Sequence, residues 1–249
     1  MSDLIKLEEI KVSFSGTPVL TGVSTKIKSG EIVGIIGPNG SGKTTLFNII
    51  SGFITPDSGH IYFEDKLIDN LSPHLRAKLG IGRVFQNFGI FKEMTLMENM
   101  LTAIESKQSL FETLLPWTKK SKENVELAIS YLKKVKLDSK AYNLSSSLSG
   151  GQLRLLEIMR LIAFGAKLLL LDEPTAGVSP KMKGEIAELI SSLKDSNHTV
   201  LIIEHDLSFI ESISERIIVM NEGICALEGK PSDIRNNSQV QEIYFGKGI

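Results

Sequence analysis

The run Gly37-Pro38-Asn39-Gly40-Ser41-Gly42-Lys43-Thr44-Thr45 follows the apolar stretch Glu31 to Ile36 and precedes Leu46-Phe47-Asn48-Ile49-Ile50. It has the form G-x-x-x-x-G-K-[ST] between a strand-like and a helix-like segment, the context in which this pattern makes a phosphate cradle. Glycines let successive backbone N–H groups turn toward an anion. Lys43 adds a point charge near the β- and γ-phosphates, and Thr44 offers a hydroxyl to Mg²⁺. The helix that begins there presents its positive end to the same anion. A loop of this kind binds a nucleotide but does not separate a kinase, a GTPase or a motor.

Leu168-Leu169-Leu170-Leu171-Asp172-Glu173 is four apolar residues ending in two carboxylates. At the C-terminal edge of a parallel strand, the first carboxylate can hold Mg²⁺ through its water shell. The second can face the γ-phosphate and polarise an attacking water. Asp172 is therefore the expected metal residue and Glu173 the expected general base. A third element, Leu148-Ser149-Gly150-Gly151-Gln152, opens a helical stretch and so offers amides, a hydroxyl and a helix N-terminus to an anion.

The segments between these motifs alternate strand and helix. Strands are expected at Leu4 to Val12, Val23 to Ile27, Glu31 to Ile36, His60 to Glu64, Leu168 to Leu171 and Thr199 to Ile203. A hairpin is expected from Arg216 to Leu227 around Asn221-Glu222-Gly223. Residues 87–164 read as a mostly helical insertion, with Val125, Ala128, Ile129, Leu132 and Val135 at helical spacing, and residues 232–249 as a helical tail. The fold class is α/β with a parallel sheet.

Composition narrows the function. Lys and Arg total 28 against 29 Asp and Glu, a formal charge of -1, so no global positive field advertises nucleic acid or anionic lipid. The single Cys225 has no partner for an internal disulfide, and MSDLIKLEE has acidic residues where a secretory signal carries a basic stretch. A cytoplasmic location is expected. No apolar run approaches the roughly 20 residues that span a bilayer, so a membrane role would pass through a partner.

In this order and spacing, the phosphate loop, LSGGQ and the Asp-Glu strand make the chain resemble the ATP-binding cassette (ABC) ATPases over almost its full length. The resemblance implies one ABC ATPase domain over residues 1–249: a P-loop core, an antiparallel β part near the N-terminus and a helical subdomain carrying the signature. It implies ATP hydrolysis with Mg²⁺ by two subunits, identical or homologous. Gly37 to Thr45 cradle the phosphates on one side, and Ser149, Gly150, Gly151 and Gln152 reach the γ-phosphate from the other. Gln86 matches the glutamine that contacts Mg²⁺ and water and connects the helical insertion to the core. His205 matches the histidine that contacts the γ-phosphate, and Phe14 stands where an aromatic stacks on adenine. Where the family commonly reads Ser-Ala-Leu-Asp, this chain has Ala176-Gly177-Val178-Ser179.

Gly80 to Gln86, Phe91 to Asn99, the AGVSP stretch and the tail Glu242-Ile243-Tyr244-Phe245-Gly246 are similar to the ATPase subunits of branched-chain amino-acid importers. That similarity implies integral membrane permease subunits, an external substrate-binding protein, a peripheral place on the cytoplasmic face of the membrane and no nucleic-acid partner. Phe88, Ile90, Phe91 and Met94 are the expected apolar docking contacts. The lipopolysaccharide-export ATPases are the second-ranked resemblance. A soluble ABC protein acting on nucleic acid ranks third, because the chain has one cassette and no sustained heptads.

Overall fold

The computed structural model describes residues 2–85, 89–106 and 119–245. Strands β1 (Asp3–Phe14) and β2 (Thr17–Lys28) form a hairpin whose last pair is Phe14 with Thr17. Ser15 and Gly16 connect them with φ of 51° and 82°. Positive φ at both central residues is what a type I′ turn demands, and its twist suits the flanking strands. Strand β2 thus begins at Thr17 rather than Val23, and β1 runs on to Phe14.

Next come β3 (Ile32–Ile36), α1 (Lys43–Ile50), β4 (Ser58–Phe63), β5 (Lys66–Leu67), α2 (Pro73–Leu79) and β6 (Ile81–Val84). Pro73 occupies the first turn of α2, where its missing N–H is no loss, and Gly80 closes that helix in the left-handed conformation. Then follow α3 (Leu96–Glu105), α4 (Lys119–Lys134), α5 (Gly150–Phe164), β7 (Leu168–Asp172), α6 (Pro180–Asp195), β8 (Thr199–Ile203) and α7 (Leu207–Ile213). Strands β9 (Arg216–Asn221) and β10 (Ile224–Gly229) and helices α8 (Pro231–Arg235) and α9 (Ser238–Phe245) complete the described chain.

Among the described residues the strands make two sheets, ordered β2-β1-β4-β5 and β10-β9-β3-β8-β7-β6. The first is antiparallel throughout; in the second, β3 pairs parallel with β8 and β9, and β7 with β8. Every residue of β3, β7 and β8 is buried, which is why these strands read as unbroken apolar runs. Helix α1 supplies Leu46, Phe47, Ile49 and Ile50 to the hydrophobic cluster that residues of both sheets share.

The end of α1 is closed by a buried cation. Arg76, 1% exposed, donates from Nη1 to Ile49 O at 2.6 Å and Ile50 O at 3.0 Å, from Nε to Leu71 O and from Nη2 to Asp69 O. The last carbonyls of a helix lack intrahelical partners, and a cation there also complements the helix dipole.

The chain divides into two compact units. One comprises Met1–Arg83, Lys167–Glu173 and Ile190–Ile249, and the other Val84–Ala166 and Pro174–Leu189. In the second, α3 packs against α4 and α5. Thr95 and Glu98 form a reciprocal capping box at the start of α3. Asn99, fully buried, accepts from Phe91 N and donates to Phe91 O and Ser145 Oγ, which fixes the backbone at Phe91.

Candidate functional site

The phosphate loop leaves β3 at Ile36. Gly37 has φ 153°, and a Cβ there would stand 2.2 Å from Met220 O; Gly42, the N-cap of α1, has φ 97°, and a Cβ there would stand 2.4 Å from Leu20 Cδ2. Both positions favour glycine by conformation, and at Gly37 the backbone carbonyl leaves no room for a Cβ. Asn39, Gly40 and Thr44 are exposed, Pro38 and Thr45 half-buried, and Ser41 and Lys43 buried. Lys43 Nζ donates to Gly37 O at 2.8 Å and Pro38 O at 2.9 Å, so the ammonium is held over the loop's own backbone. Burial lowers its pKa, opposed by the charges of Glu173 and Asp172. Ser41 Oγ is buried with no hydrogen-bond partner among the described residues. An orphaned hydroxyl, an ammonium and the N-terminus of α1 converge on one loop, a donor set that fits a polyphosphate.

Register brings the carboxylates to the same sheet edge. Ile35 pairs with Ile203 and Ile203 with Asp172, so one row crosses β3, β8 and β7 just before the loop and includes the first of the two acids. Glu173 N extends that pairing by donating to Ile203 O at 2.9 Å. Glu173 itself has φ 48°, a left-handed backbone on a residue with a long side chain. Strain of this kind persists only where surrounding structure imposes it. His205 follows β8 by two residues, and its Nε2 lies 3.0 Å from Glu173 Oε1. Asp172 is buried, and its Oδ2 accepts from Arg83 Nη2 at 3.1 Å.

The signature stretch lies in the second unit and forms the start of α5. Ser149 is the N-cap: its Oγ accepts from Gln152 N at 3.3 Å, and Gln152 Oε1 accepts from Ser149 N at 3.2 Å. The hydroxyl proton of Ser149 remains available to an acceptor, because capping uses only a lone pair. Ser149 and Gly150 are exposed and Gly151 is buried. A Cβ on Gly151 would stand 2.8 Å from Met182 Cβ, so this glycine permits the close approach of α6. Helix α6 is itself started by Ser179-Pro180, an N-cap residue before a first-turn proline, and Lys183 N donates to Ser179 O.

Further along α5, Arg154 Nη1 donates to Phe85 O at 2.8 Å and to Glu157 Oε2 at 2.7 Å, and Glu157 Oε1 accepts from Gly89 N at 2.8 Å. Arg160 donates to Gly89 O and lies 5.0 Å from the centroid of the Phe91 ring. One helix therefore holds both Phe85 and Gly89. Gln86, the expected contact to Mg²⁺, lies outside the described residues, as do Asn87 and Phe88. Phe91 and Met94 are exposed, at 50% and 36%, whereas Ile90 is 7% exposed. Ile90 belongs to the packed interior and is not a docking contact, a correction to the reading that grouped it with its neighbours. Phe14 is 45% exposed at the tip of the β1–β2 hairpin.

Sequence reasoning passed over Arg83, Arg154 and Glu157. The available signal was charge inside apolar runs: Arg83 within Ile81-Gly82-Arg83-Val84, and Arg154 and Glu157 within a helix otherwise rich in leucine and isoleucine.

A phosphate loop beside an Asp-Glu edge, with a serine-capped glycine pair opening another helix, defines a P-loop nucleotide-hydrolysing cassette. The chain belongs to the ABC transporter family: residues 20–176 match the family model of that description. It is 40% identical over 98% of its length, and 95% of the relative's, to the probable branched-chain amino acid transport ATP-binding protein LivG of Archaeoglobus fulgidus. Among solved structures, it is similar to the ADP conformation of an ATP-binding cassette of an ABC transporter, with a TM-score of 0.87 and 36% identity, covering 99% of this chain and 100% of that one. A dimeric, post-hydrolysis cassette bound to ADP and Pi aligns with a TM-score of 0.76 and 29% identity over 91% of this chain and 98% of that one. The fold is that of the ABC ATPases, and the chain is an ATP-binding, ATP-hydrolysing member of the family. Among the described residues no helix is long and apolar enough to cross a membrane.

Proposed function

We propose that this chain is the ATPase subunit of an importer for branched-chain or related hydrophobic amino acids, working as a single cassette beneath integral membrane permease subunits. The observation that carries the hydrolytic half is the pairing of Glu173 with His205 at the sheet edge next to the phosphate loop. The substrate half is supported by the full-length likeness to LivG, which favours this reading over lipopolysaccharide export and over action on nucleic acid.

In this account the loop from Gly37 to Thr45 binds the phosphates of ATP, with Lys43 swinging from the Gly37 and Pro38 carbonyls to the β- and γ-phosphates. Phe14 stacks on the adenine. Glu173 accepts the proton of the attacking water, and His205 orients Glu173 and contacts the γ-phosphate. Thr44, Gln86 and Asp172 are the residues that would hold Mg²⁺, which supplies neutralisation of the charge developing on the phosphates.

A second copy, or a homologous subunit, completes each site with Ser149, Gly150, Gly151 and Gln152. The dimeric cassette with ADP and Pi supports this arrangement. Differential affinity of the closed and open dimers for ATP and ADP then moves the permease. Phe91 and Met94, exposed beside the backbone that Asn99 fixes, are the apolar contacts to that membrane partner, on the cytoplasmic face. An external binding protein delivers the amino acid.

The test is to purify the tagged subunit from detergent-solubilised membranes and to measure amino-acid uptake in cells lacking it. Co-purification of a polytopic partner together with lost leucine uptake is expected. Recovery of no membrane partner would remove the transporter role, and unchanged uptake with a partner present would remove the amino-acid assignment.

A further inference from the structure

We propose that Arg83 is a positioning residue for Mg²⁺, fixing the Asp172 carboxylate against the helix that carries Thr44. The inference rests on the reading of Asp172 and Thr44 as the Mg²⁺ residues. The Arg83 side chain is 6% exposed and Asp172 is 3% exposed, so this ion pair lies in the interior. The guanidinium divides its donors between two elements: Nη2 bonds Asp172 Oδ2 at 3.1 Å on β7, and Nη1 bonds Asn48 Oδ1 at 2.6 Å and Ser51 Oγ at 3.2 Å on and after α1. Its Cζ stands 5.7 Å from the centroid of the Phe47 ring, which backs the fork.

Asn48 lies four residues beyond Thr44 and therefore on the same face of α1. The guanidinium thus ties the carboxylate assigned to the metal to α1, one turn beyond Thr44. A planar fork sets both distance and angle, whereas an ammonium sets neither. Taking one Asp172 oxygen as acceptor turns the carboxylate in advance, so ordering need not be supplied when the ion arrives.

Rigid placement matters most for Mg²⁺, which demands near-ideal octahedral geometry, and least for Ca²⁺, which tolerates variable coordination. The consequence is selectivity. Without the fork, ATP should still bind, and Ca²⁺ should still strengthen that binding, but the additional gain from Mg²⁺ should shrink. This separates positioning from a general structural role, which would weaken all three measurements together.

The experiment is calorimetric titration of ATP into the full chain with EDTA, with Mg²⁺ and with Ca²⁺, for wild type, Arg83→Lys, Arg83→Met, Asn48→Ala and Asp172→Asn. In the Arg83 variants the Mg²⁺-dependent gain in affinity should fall about tenfold or more, the range for loss of an outer partner of a metal ligand, while affinity in EDTA is unchanged. Asn48→Ala keeps the cation and releases one arm of the fork; a smaller loss in the same direction is expected, and this variant carries the test if the Arg83 variants do not fold. An undiminished Mg²⁺ gain in a folded Arg83 variant, or in Asn48→Ala if it alone folds, overturns the proposal provided that Asp172→Asn loses the gain. A gain that survives Asp172→Asn overturns instead the assignment of Asp172 on which the proposal stands.

Discussion

His205 Nε2 and Glu173 Oε1 lie 3.0 Å apart, joining the ends of two neighbouring strands at the edge where the phosphate loop begins. Glu173 approaches this contact from a left-handed backbone, so its side-chain direction is imposed by the turn after β7. His205 is nearly half exposed and carries little packing. We expect His205→Ala to fold normally, to bind ATP with near-native affinity and to lose about 100-fold in turnover, the lower range for removal of a proton-handling partner. Steady-state kinetics with calorimetry checks this, and turnover within a fewfold of wild type would contradict it.

Arg76 makes a different kind of prediction, one about stability. It satisfies four backbone carbonyls, two of them at the end of the helix that follows the Gly37–Thr45 loop. Arg76→Met should therefore destabilise the protein by about 3 kcal/mol or more, since buried acceptors lose their donors together. Urea unfolding measures the change, and a loss below about 1 kcal/mol would show that water replaces the guanidinium.

Glu157 gives a pH dependence with a defined sign. Burial raises its pKa, against the opposing effects of the Gly89 amide, Arg154 and Arg160. The folded state therefore holds the proton more tightly than the unfolded chain. The stability this contributes is fully present below the unfolded value of about 4.3 and is lost as pH rises through the raised folded value. Glu157→Gln lacks the titration, so its stability relative to wild type should improve as pH rises across that window. Parallel urea unfolding of the two proteins reads the difference, and a difference independent of pH would refute the argument.

The signature should act on a partner's nucleotide. Ser149→Arg places a long side chain at the exposed N-cap of α5, blocking approach of a second subunit while sparing the monomer's own phosphate loop. Lys43→Ala has the complementary defect. A mixture of the two is expected to recover part of the ATPase activity that neither shows alone, because one composite site then carries neither change. No recovery would mean that the signature serves its own subunit.

How much of this was legible in the sequence depends on where the reason for each residue lies. Strands β3, β7 and β8 are buried on both faces, so their apolar runs announce them, and the loop between β3 and α1 carries its own local pattern. The β9–β10 hairpin is equally local: Glu222 and Gly223 turn it with φ of 48° and 78°. Residues Thr17 to Gly22 of β2 hide because most of them face outward or are half-buried, leaving no apolar alternation to read. Arg76 and Arg83 look like surface charges until acceptors distant in sequence surround them. Gly151 is similar, since its need for space comes from Met182. Ile90 is the converse case: apolar character groups it with Phe91 and Met94 as a docking contact, yet Ile90 is buried while Phe91, whose backbone Asn99 bonds, is exposed.

We propose Glu173 as the general base of a site shared by two cassettes. Replacing it with glutamine would remove the proposed base and a negative charge from the sheet edge, while leaving the phosphate loop and Asp172 in place. The most direct measurement is sedimentation of purified Glu173→Gln with Mg²⁺ and ATP, with released phosphate followed in the same sample. The expected result is a stable ATP-dependent dimer that reverts to monomer in ADP and releases almost no phosphate. Phosphate release at a rate near that of wild type, with no ATP-dependent dimer, would contradict it.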